Sequence, residues 1–168
     1  MAMVGLFWIT EDAVYVGSPP AVDGQCVRLT SEGVVAEDPY GTRTWAWEEL
    51  RAASVVDVPV KGTGSRLGQA FEVLLAAVGG SGDEPAEMSL RLSSTDPEVD
   101  VTEEVSVHAA VAGGYPTDEV ELSQSLLARF VAGEADPGVL TAWARGDGHR
   151  GTPRARQRQA LLRSWAEA

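Results

Sequence analysis

The sequence predicts an α+β fold: a mainly antiparallel barrel or strongly bent sheet, with an inserted helix, a closing helix and a short helical C-terminal extension. Short apolar runs broken by Gly, Pro and Asp fill the first 60 residues, which is typical of meander strands. Alternating apolar and polar residues between positions 88 and 108 indicate a further hairpin. From residue 117 onwards the apolar period is that of helices.

The N-terminal apolar stretch, residues 1–10, lacks the basic start and the small-residue cleavage site of a signal peptide, so we interpret it as a first strand. The sequence Asp38-Pro39-Tyr40-Gly41 has the residues of a type I turn and predicts the tip of a hairpin. The further strands predicted in this part are 14–16, 26–29, 34–36, 42–47 and 54–60.

Residues 65–78 carry apolar side chains at the spacing of one helix face, and Gly79-Gly80 ends that run, which predicts the inserted helix. Two alternating stretches, 88–92 and 101–107, predict an antiparallel hairpin around Asp96-Pro97-Glu98. Thr117 is the expected cap of the closing helix, which ends at Gly133. Asp136-Pro137 and Thr152-Pro153 each predict the start of another short helix. We therefore divide the chain into a domain, 1–133, and a helical extension, 134–168.

The net charge of −12 lies in the first 110 residues, which hold 18 acidic residues against six basic ones. Such a surface repels nucleic acid and anionic lipid, so neither is an expected partner. The single cysteine, Cys26, excludes an intramolecular disulfide. At 168 residues the chain can bury a core without one. These observations favour a cytoplasmic protein.

No motif of reaction chemistry is convincing, and we expect no catalytic residue, no metal site and no cofactor. Gly62-Thr63-Gly64-Ser65-Arg66-Leu67-Gly68 follows a strand, but its glycine spacing is that of neither phosphate-binding loop family, which favours a flexible connection. The carboxylates of Asp96, Glu98 and Asp100 lack the later residues of a calcium loop. His108 and His149 belong to no nucleophile–base arrangement, and one Cys with two scattered His excludes a zinc site.

Trp45 and Trp47 share one face of a predicted strand with Arg43. Aromatic residues at this spacing usually define the buried face, although an exposed platform for a partner peptide would show the same pattern. Cys26 is expected to be a small buried apolar residue in its strand.

The last predicted helix combines Arg154, Arg156 and Arg158 with an apolar stripe that includes Trp165. Positive charge in the first turns of a helix opposes the helix dipole, so it needs compensation from acidic groups. The stripe is too narrow and short to hold an isolated helix folded, and we expect it to dock on this domain or on a second copy. These four residues are the candidate partner-binding residues, the alternative being a solvated face.

The order of strands followed by a helix, with Leu29-Thr30-Ser31-Glu32-Gly33-Val34 and Trp45-Ala46-Trp47-Glu48-Glu49-Leu50, resembles bacterial members of the pleckstrin-homology-like superfamily. The whole chain also resembles actinobacterial proteins, and that likeness implies no function. The lipid-binding members carry basic residues at the first strand turn, where this chain has Glu11-Asp12, so the resemblance implies a binding scaffold without the lipid function.

We therefore expect a non-enzymatic protein–protein interaction module or adaptor of the bacterial cytoplasm, acting through a protein partner or self-association. A partner could add a strand at an exposed sheet edge or use the helical extension. The alternative is a small-ligand-binding protein or minor enzyme with a pocket near the Gly62–Gly68 loop.

Overall fold

The computed structural model has an α+β architecture with two antiparallel sheets and three α-helices in the residues that it describes. The described residues are 1–20, 24–61, 86–96, 102–111, 113–148 and 151–167. The predicted inserted helix and the Gly62–Gly68 loop lie outside these ranges.

The first sheet is a six-stranded meander in which each strand pairs with the next along the chain. The hairpin predicted at Asp38-Pro39-Tyr40-Gly41 is present, and the Asp38 carboxylate accepts the backbone N–H groups of Tyr40 and Gly41. The strands are β1 (Ala2–Val4), β2 (Phe7–Ile9), β3 (Val14–Val16), β4 (Cys26–Leu29), β5 (Gly33–Asp38) and β6 (Gly41–Ala46).

The interpretation of residues 1–10 as one strand is wrong, because β1 and β2 form a tight hairpin at this place. Gly5 has φ +59°, the left-handed conformation that favours glycine. A Cβ atom at Gly5 would also collide with the Ser123 hydroxyl of a helix packed over the turn. The sequence pattern did not indicate this turn because the residues on both sides of Gly5 are apolar.

The second sheet has three strands, β7 (Leu50–Val56), β8 (Glu87–Ser94) and β9 (Thr102–His108). A 3₁₀ turn, Trp47–Glu49, joins β6 to β7. The prediction of a strand over 54–60 placed β7 too late, since the chain leaves the sheet at Asp57, whose φ is +56°. The two sheets share no strand pairing among the described residues, so no closed barrel is formed there.

The core lies between the two sheets and the first helix. Directly opposite residues of an antiparallel pair share a face, so the register defines a row that crosses the whole first sheet. That row runs Ala2, Ile9, Val14, Leu29, Val34 and Trp45. Its counterpart in the second sheet is Val55, Leu90 and Val105. All of these residues are buried except Trp45, which ends its row at the sheet margin.

The helices are α1 (Thr117–Val131), α2 (Gly138–Gly146) and α3 (Ala155–Glu167). Thr117 is the first residue of α1 and not its cap, because Pro116 occupies the cap position without a side-chain bond. The end at Gly133 is as predicted, with φ +70° at that residue. Leu126, Leu127 and Phe130 of α1 are buried in the core.

Helix α3 packs along α1 and beside β1. Leu162 is fully buried, and Trp165 meets Trp143 of α2 edge-on with 5.6 Å between the ring centroids. The buried apolar cluster therefore runs without interruption from the sheets into the helical extension.

Candidate interaction surface at the margin of β6

Strand β6 is one of the two outermost strands of the first sheet, and its register determines which backbone groups face outward. Asp38 and Gly41 close a two-residue hairpin loop, so they form a hydrogen-bonded pair. Pairs alternate along an antiparallel ladder, hence Arg43 and Trp45 bond to β5 whereas Thr42 and Thr44 direct their N–H and C=O groups away from the sheet. Both threonines are exposed.

The next outward-facing amide of β6, that of Ala46, is already occupied. Its N–H group donates to the carboxylate of Glu49 at 3.0 Å, which ends the free part of the edge. In the described part of the chain, no backbone or side-chain group hydrogen-bonds the outward peptide groups of Thr42 and Thr44. Two N–H and two C=O groups are thus open to an added strand here.

At Val55, the edge of β7 is covered by a side chain that makes the two hydrogen bonds of a neighbouring strand. Gln124 of α1 accepts the N–H of Val55 at 3.1 Å and donates its amide to the carbonyl of the same residue at 2.5 Å. Both hydrogen-bonding groups that Val55 turns outward are thus occupied by one side chain of the same molecule.

The outer strands β1 and β9 are covered in part by the chain itself. The outward N–H of Met3 donates to the Thr152 hydroxyl at 3.0 Å, beside α3. In the second half of β9, the carbonyls of Ser106 and His108 accept from the Gln25 amide at 3.3 Å and from the Ser18 N–H at 2.8 Å. Among the described residues, β6 leaves the outward groups of Thr42 and Thr44 open, and the first half of β9 likewise leaves those of Thr102 and Glu104 open.

A mouth opens between the two sheets where β6 faces the start of β9. Trp45 reaches across this gap, and its indole N–H donates to the Glu103 carboxylate at 3.4 Å. The Arg43 guanidinium lies 5.4 Å from the centre of the Trp45 ring and 3.5 Å from Glu103. A cation over an aromatic face is attracted by the ring quadrupole, so this arrangement already holds one guanidinium.

The mouth holds a cavity of about 380 Å³ with an acidic lining. Its carboxylates are Glu49, Asp96 and Glu103, and its lining includes no basic residue. Glu103 stands on the core-facing side of β9, opposite Leu92, at the position where the apolar row of the second sheet reaches solvent. The mouth therefore combines an aromatic wall, an apolar floor and negative charge.

A second groove, of about 860 Å³, lies on the other side of the strand end. Trp47 forms its floor, donates to the Thr30 carbonyl at 2.9 Å and packs tilted on Phe130 at 6.0 Å between centroids. Its carboxylates are Glu32, Glu48, Glu134 and Asp136, again without a basic residue in the lining. Two acidic depressions thus flank the β6 end.

Trp45 and Trp47 combine features of both interpretations given by the sequence. Both are half-buried and packed against the core. Trp45 also lies at the open margin beside Arg43, whereas Trp47 belongs to the 3₁₀ turn and not to the strand. The shared strand face of the two tryptophans was therefore predicted incorrectly, because a strand pattern does not show where the strand ends.

The four predicted partner-binding residues of the C-terminal helix have different environments. Arg158 makes a bidentate ion pair with Glu119 of α1, with N–O distances of 2.7 to 3.1 Å, and the two side chains are 13% and 2% exposed. Trp165 is 8% exposed against Trp143. Arg154 and Arg156 are exposed. Arg158 and Trp165 thus make their contacts within this chain.

A shallow cleft of about 590 Å³ separates α2 from α3. Trp143, Leu161 and Pro153 supply apolar lining, and Arg154 stands at its rim. His149 and Arg150 lie outside the described residues.

The environments of the buried cysteine and the half-buried histidine are those of structural residues. Burial, followed by the nearby Glu37 carboxylate, raises the pKa of the Cys26 thiol, which is the inert behaviour expected of a buried cysteine. His108 lies on β9, half-buried, with its Nδ1 atom buried and unpaired among the described groups. No cluster of three His, Cys, Asp or Glu able to hold a metal occurs within the described ranges. The later part of the Asp96–Asp100 segment is not described.

Comparison with known proteins gives no family assignment: the sequence matches no protein-family model, and no curated protein and no solved structure matches it. None of the described helices combines the length and apolar character needed to cross a bilayer.

The sequence analysis did not single out Glu103 at the mouth or Gln124 at the β7 edge. Glu103 falls in an alternating strand among other acids, and its position on the core-facing side could have been found from the register with Leu92. Gln124 carries no such signal, because an amide on a helix is ordinarily a solvated residue.

Proposed function

We propose that this protein is a non-enzymatic protein–protein interaction module or adaptor of the bacterial cytoplasm, which binds an extended segment of a partner protein along β6. The observation that carries the proposal is the contrast between the edges. Thr42 and Thr44 leave their peptide groups free of partners among the described residues, whereas both groups of Val55 and the N–H of Met3 are occupied. Strand addition uses such free groups for affinity and side-chain pockets for specificity.

The proposed architecture is a pleckstrin-homology-like one. Two consecutive antiparallel meanders followed by a helix, α1, that packs on β7 support this proposal. The absence of strand pairing between the sheets, within the described ranges, is a departure from a closed barrel, and it creates the mouth at β6. Fold likeness suggests a binding scaffold by association only, so the open edge is the stronger support.

Arg154 and Arg156 are a proposed secondary contact for an acidic part of the partner, because both are exposed near one end of α3. Arg158 and Trp165 could contribute only if α3 left α1, which would uncover the buried Glu119 carboxylate and the β1 edge. We therefore place the primary contact at β6.

The test uses a displayed library of random 12-residue peptides, selected against the full chain. Selected peptides should bind the wild-type protein and Thr44→Val, because that variant retains the backbone N–H group. Binding should be lost in Thr44→Pro, since proline has no N–H and blocks an edge strand from further pairing. Circular dichroism would check that both variants are folded. Peptides that bind Thr44→Pro and Thr44→Val equally well would overturn the proposal.

A further inference from the structure

The described surface around β6 determines the chemistry of its partner as well as its position. We propose that the segment bound at β6 is basic, and that it places a Lys or Arg side chain in the mouth beside Trp45. This inference rests on the proposed function, and it adds the class of partner.

The pleat decides which partner residues reach the mouth. Side chains alternate across a sheet, and residues directly opposite share a face. A residue paired with Trp45 would therefore extend the row that begins at Ala2, and its side chain would point toward the mouth. The residue paired with Thr44 would point to the opposite face of the sheet, beside Val35.

Charge complementarity then selects the residue that pairs with Trp45. The cavity that it meets is lined by Glu49, Asp96 and Glu103 and by the Trp45 ring, with no basic residue in that lining. The chain's own Arg43 shows the preference of this ring and of Glu103 for a guanidinium. A second cation with a long apolar stem would meet Leu92 along its methylenes and the carboxylates at its end.

The neighbouring position has the opposite requirement. A partner residue paired with Arg43 faces the same side, two residues from the first, and a Lys or Arg there would meet the Arg43 guanidinium. We therefore expect a single basic residue opposite Trp45 and a neutral or acidic residue two positions away. This pattern distinguishes a specific contact from general attraction to an acidic protein.

A second copy of this chain does not fit the same site. Pairing of two β6 strands would bring together two mouths, each lined by three carboxylates, and like charges across an interface oppose association. Sedimentation of the full chain should therefore show a monomer at micromolar concentration, and a dimer abolished by Thr44→Pro would overturn the choice of a basic partner.

The experiment compares matched peptides and matched variants. In the tightest peptide from the library, the basic residue is replaced by norleucine, and binding is measured on the full chain by calorimetry. We expect about a tenfold loss for norleucine. The same loss should follow from the Glu49→Gln and Glu103→Gln double variant. The control is Glu104→Gln, the next residue of β9, which pairs with Arg91 on the other face and should leave the affinity unchanged.

The outcomes separate this inference from the proposed function. Peptides that need the Thr44 N–H group but show no basic residue at the predicted position, and no sensitivity to the Glu49 and Glu103 variants, would overturn the basic partner while leaving strand addition intact. A failure to select any peptide dependent on Thr44 would overturn both.

Discussion

Strands β6 and β7 are both outermost strands, yet their outward peptide groups differ at Thr42, Thr44 and Val55. On β7, Gln124 occupies the two outward groups of Val55 at 3.1 and 2.5 Å. On β6, the corresponding groups of Thr42 and Thr44 have no hydrogen-bond partner in the described chain. An exposed edge is a hazard for aggregation, which proteins usually cover. The difference indicates that Thr42 and Thr44 of β6 are available for pairing, whereas Val55 of β7 is not.

The helical extension contributes to the covered part of the molecule, because Thr152 bonds β1 and Arg158 bonds Glu119 of α1. Arg158 and Glu119 join α3 to α1, and removal of one partner leaves a buried charge without compensation. We expect Arg158→Ala to lower the free energy of unfolding by about 3–5 kcal/mol in urea denaturation. Arg156→Ala, an exposed position of the same helix, should change it by less than about 0.5 kcal/mol. Equal effects of the two substitutions would contradict the docking of α3 through this pair.

A smaller effect tests the cover of β7. Gln124→Ala removes both bonds to Val55, which leaves backbone groups unsatisfied and should cost about 1–3 kcal/mol of unfolding free energy. Amide exchange at Val55 should become faster in the same variant. The control is Ser125→Ala on the exposed side of α1, expected within about 0.5 kcal/mol of wild type. Unaltered exchange at Val55 in Gln124→Ala would show that the edge is protected by something else.

The smallest expected effect on stability at neutral pH is that of the ionisation of Tyr115, whose side chain is buried. Burial raises its pKa above 10.0, although the N–H of Ala110, which donates to the phenol oxygen at 2.9 Å, acts in the other direction. Above pH 10.0 the unfolded state therefore binds fewer protons than the folded state, and stability falls as the pH rises. Well below pH 10.0 the Tyr115 phenol is protonated in both states, so its contribution to the free energy of unfolding is fully present.

Absorbance titration checks this prediction in a Tyr40→Phe background, which removes the tyrosine that is 99% exposed at the open hairpin tip. The remaining tyrosines are Tyr15 and Tyr115, and burial raises the pKa of both. Ionisation should therefore begin above pH 10.0 and end with unfolding. A full transition centred at pH 10.0 in the folded protein would contradict the burial of Tyr115.

Local signals explain what the sequence could predict. The turn at Asp38-Pro39-Tyr40-Gly41 and the end of α1 at Gly133 follow from the conformational preferences of a few adjacent residues. The α+β class follows in the same way, from periods of two and 3.6 residues. By contrast, the hairpin at Gly5 depends on Ser123 of α1, 118 positions later, and no local pattern records that contact.

The candidate site was predictable only in part, because it is a property of two sheets together. Trp45 and Arg43 were recognised as one face of one strand. The position of that face at an open margin depends on Glu103 of the second sheet and on the lack of strand pairing between the sheets in the described residues. The β6 edge is open because no described group hydrogen-bonds Thr42 and Thr44 on their outward side. A sequence pattern cannot show the absence of such a contact.

Native-state amide exchange at β6 tests the central claim most directly. The N–H groups of Arg43 and Trp45 point to β5 and should be protected, whereas those of Thr42 and Thr44 point outward and should exchange rapidly in the same strand. Addition of a selected peptide should protect Thr42 and Thr44 and leave Val55, already bonded to Gln124, unchanged. Protection of Thr42 and Thr44 in the free monomer, or no change at either residue with the peptide bound, would contradict the account.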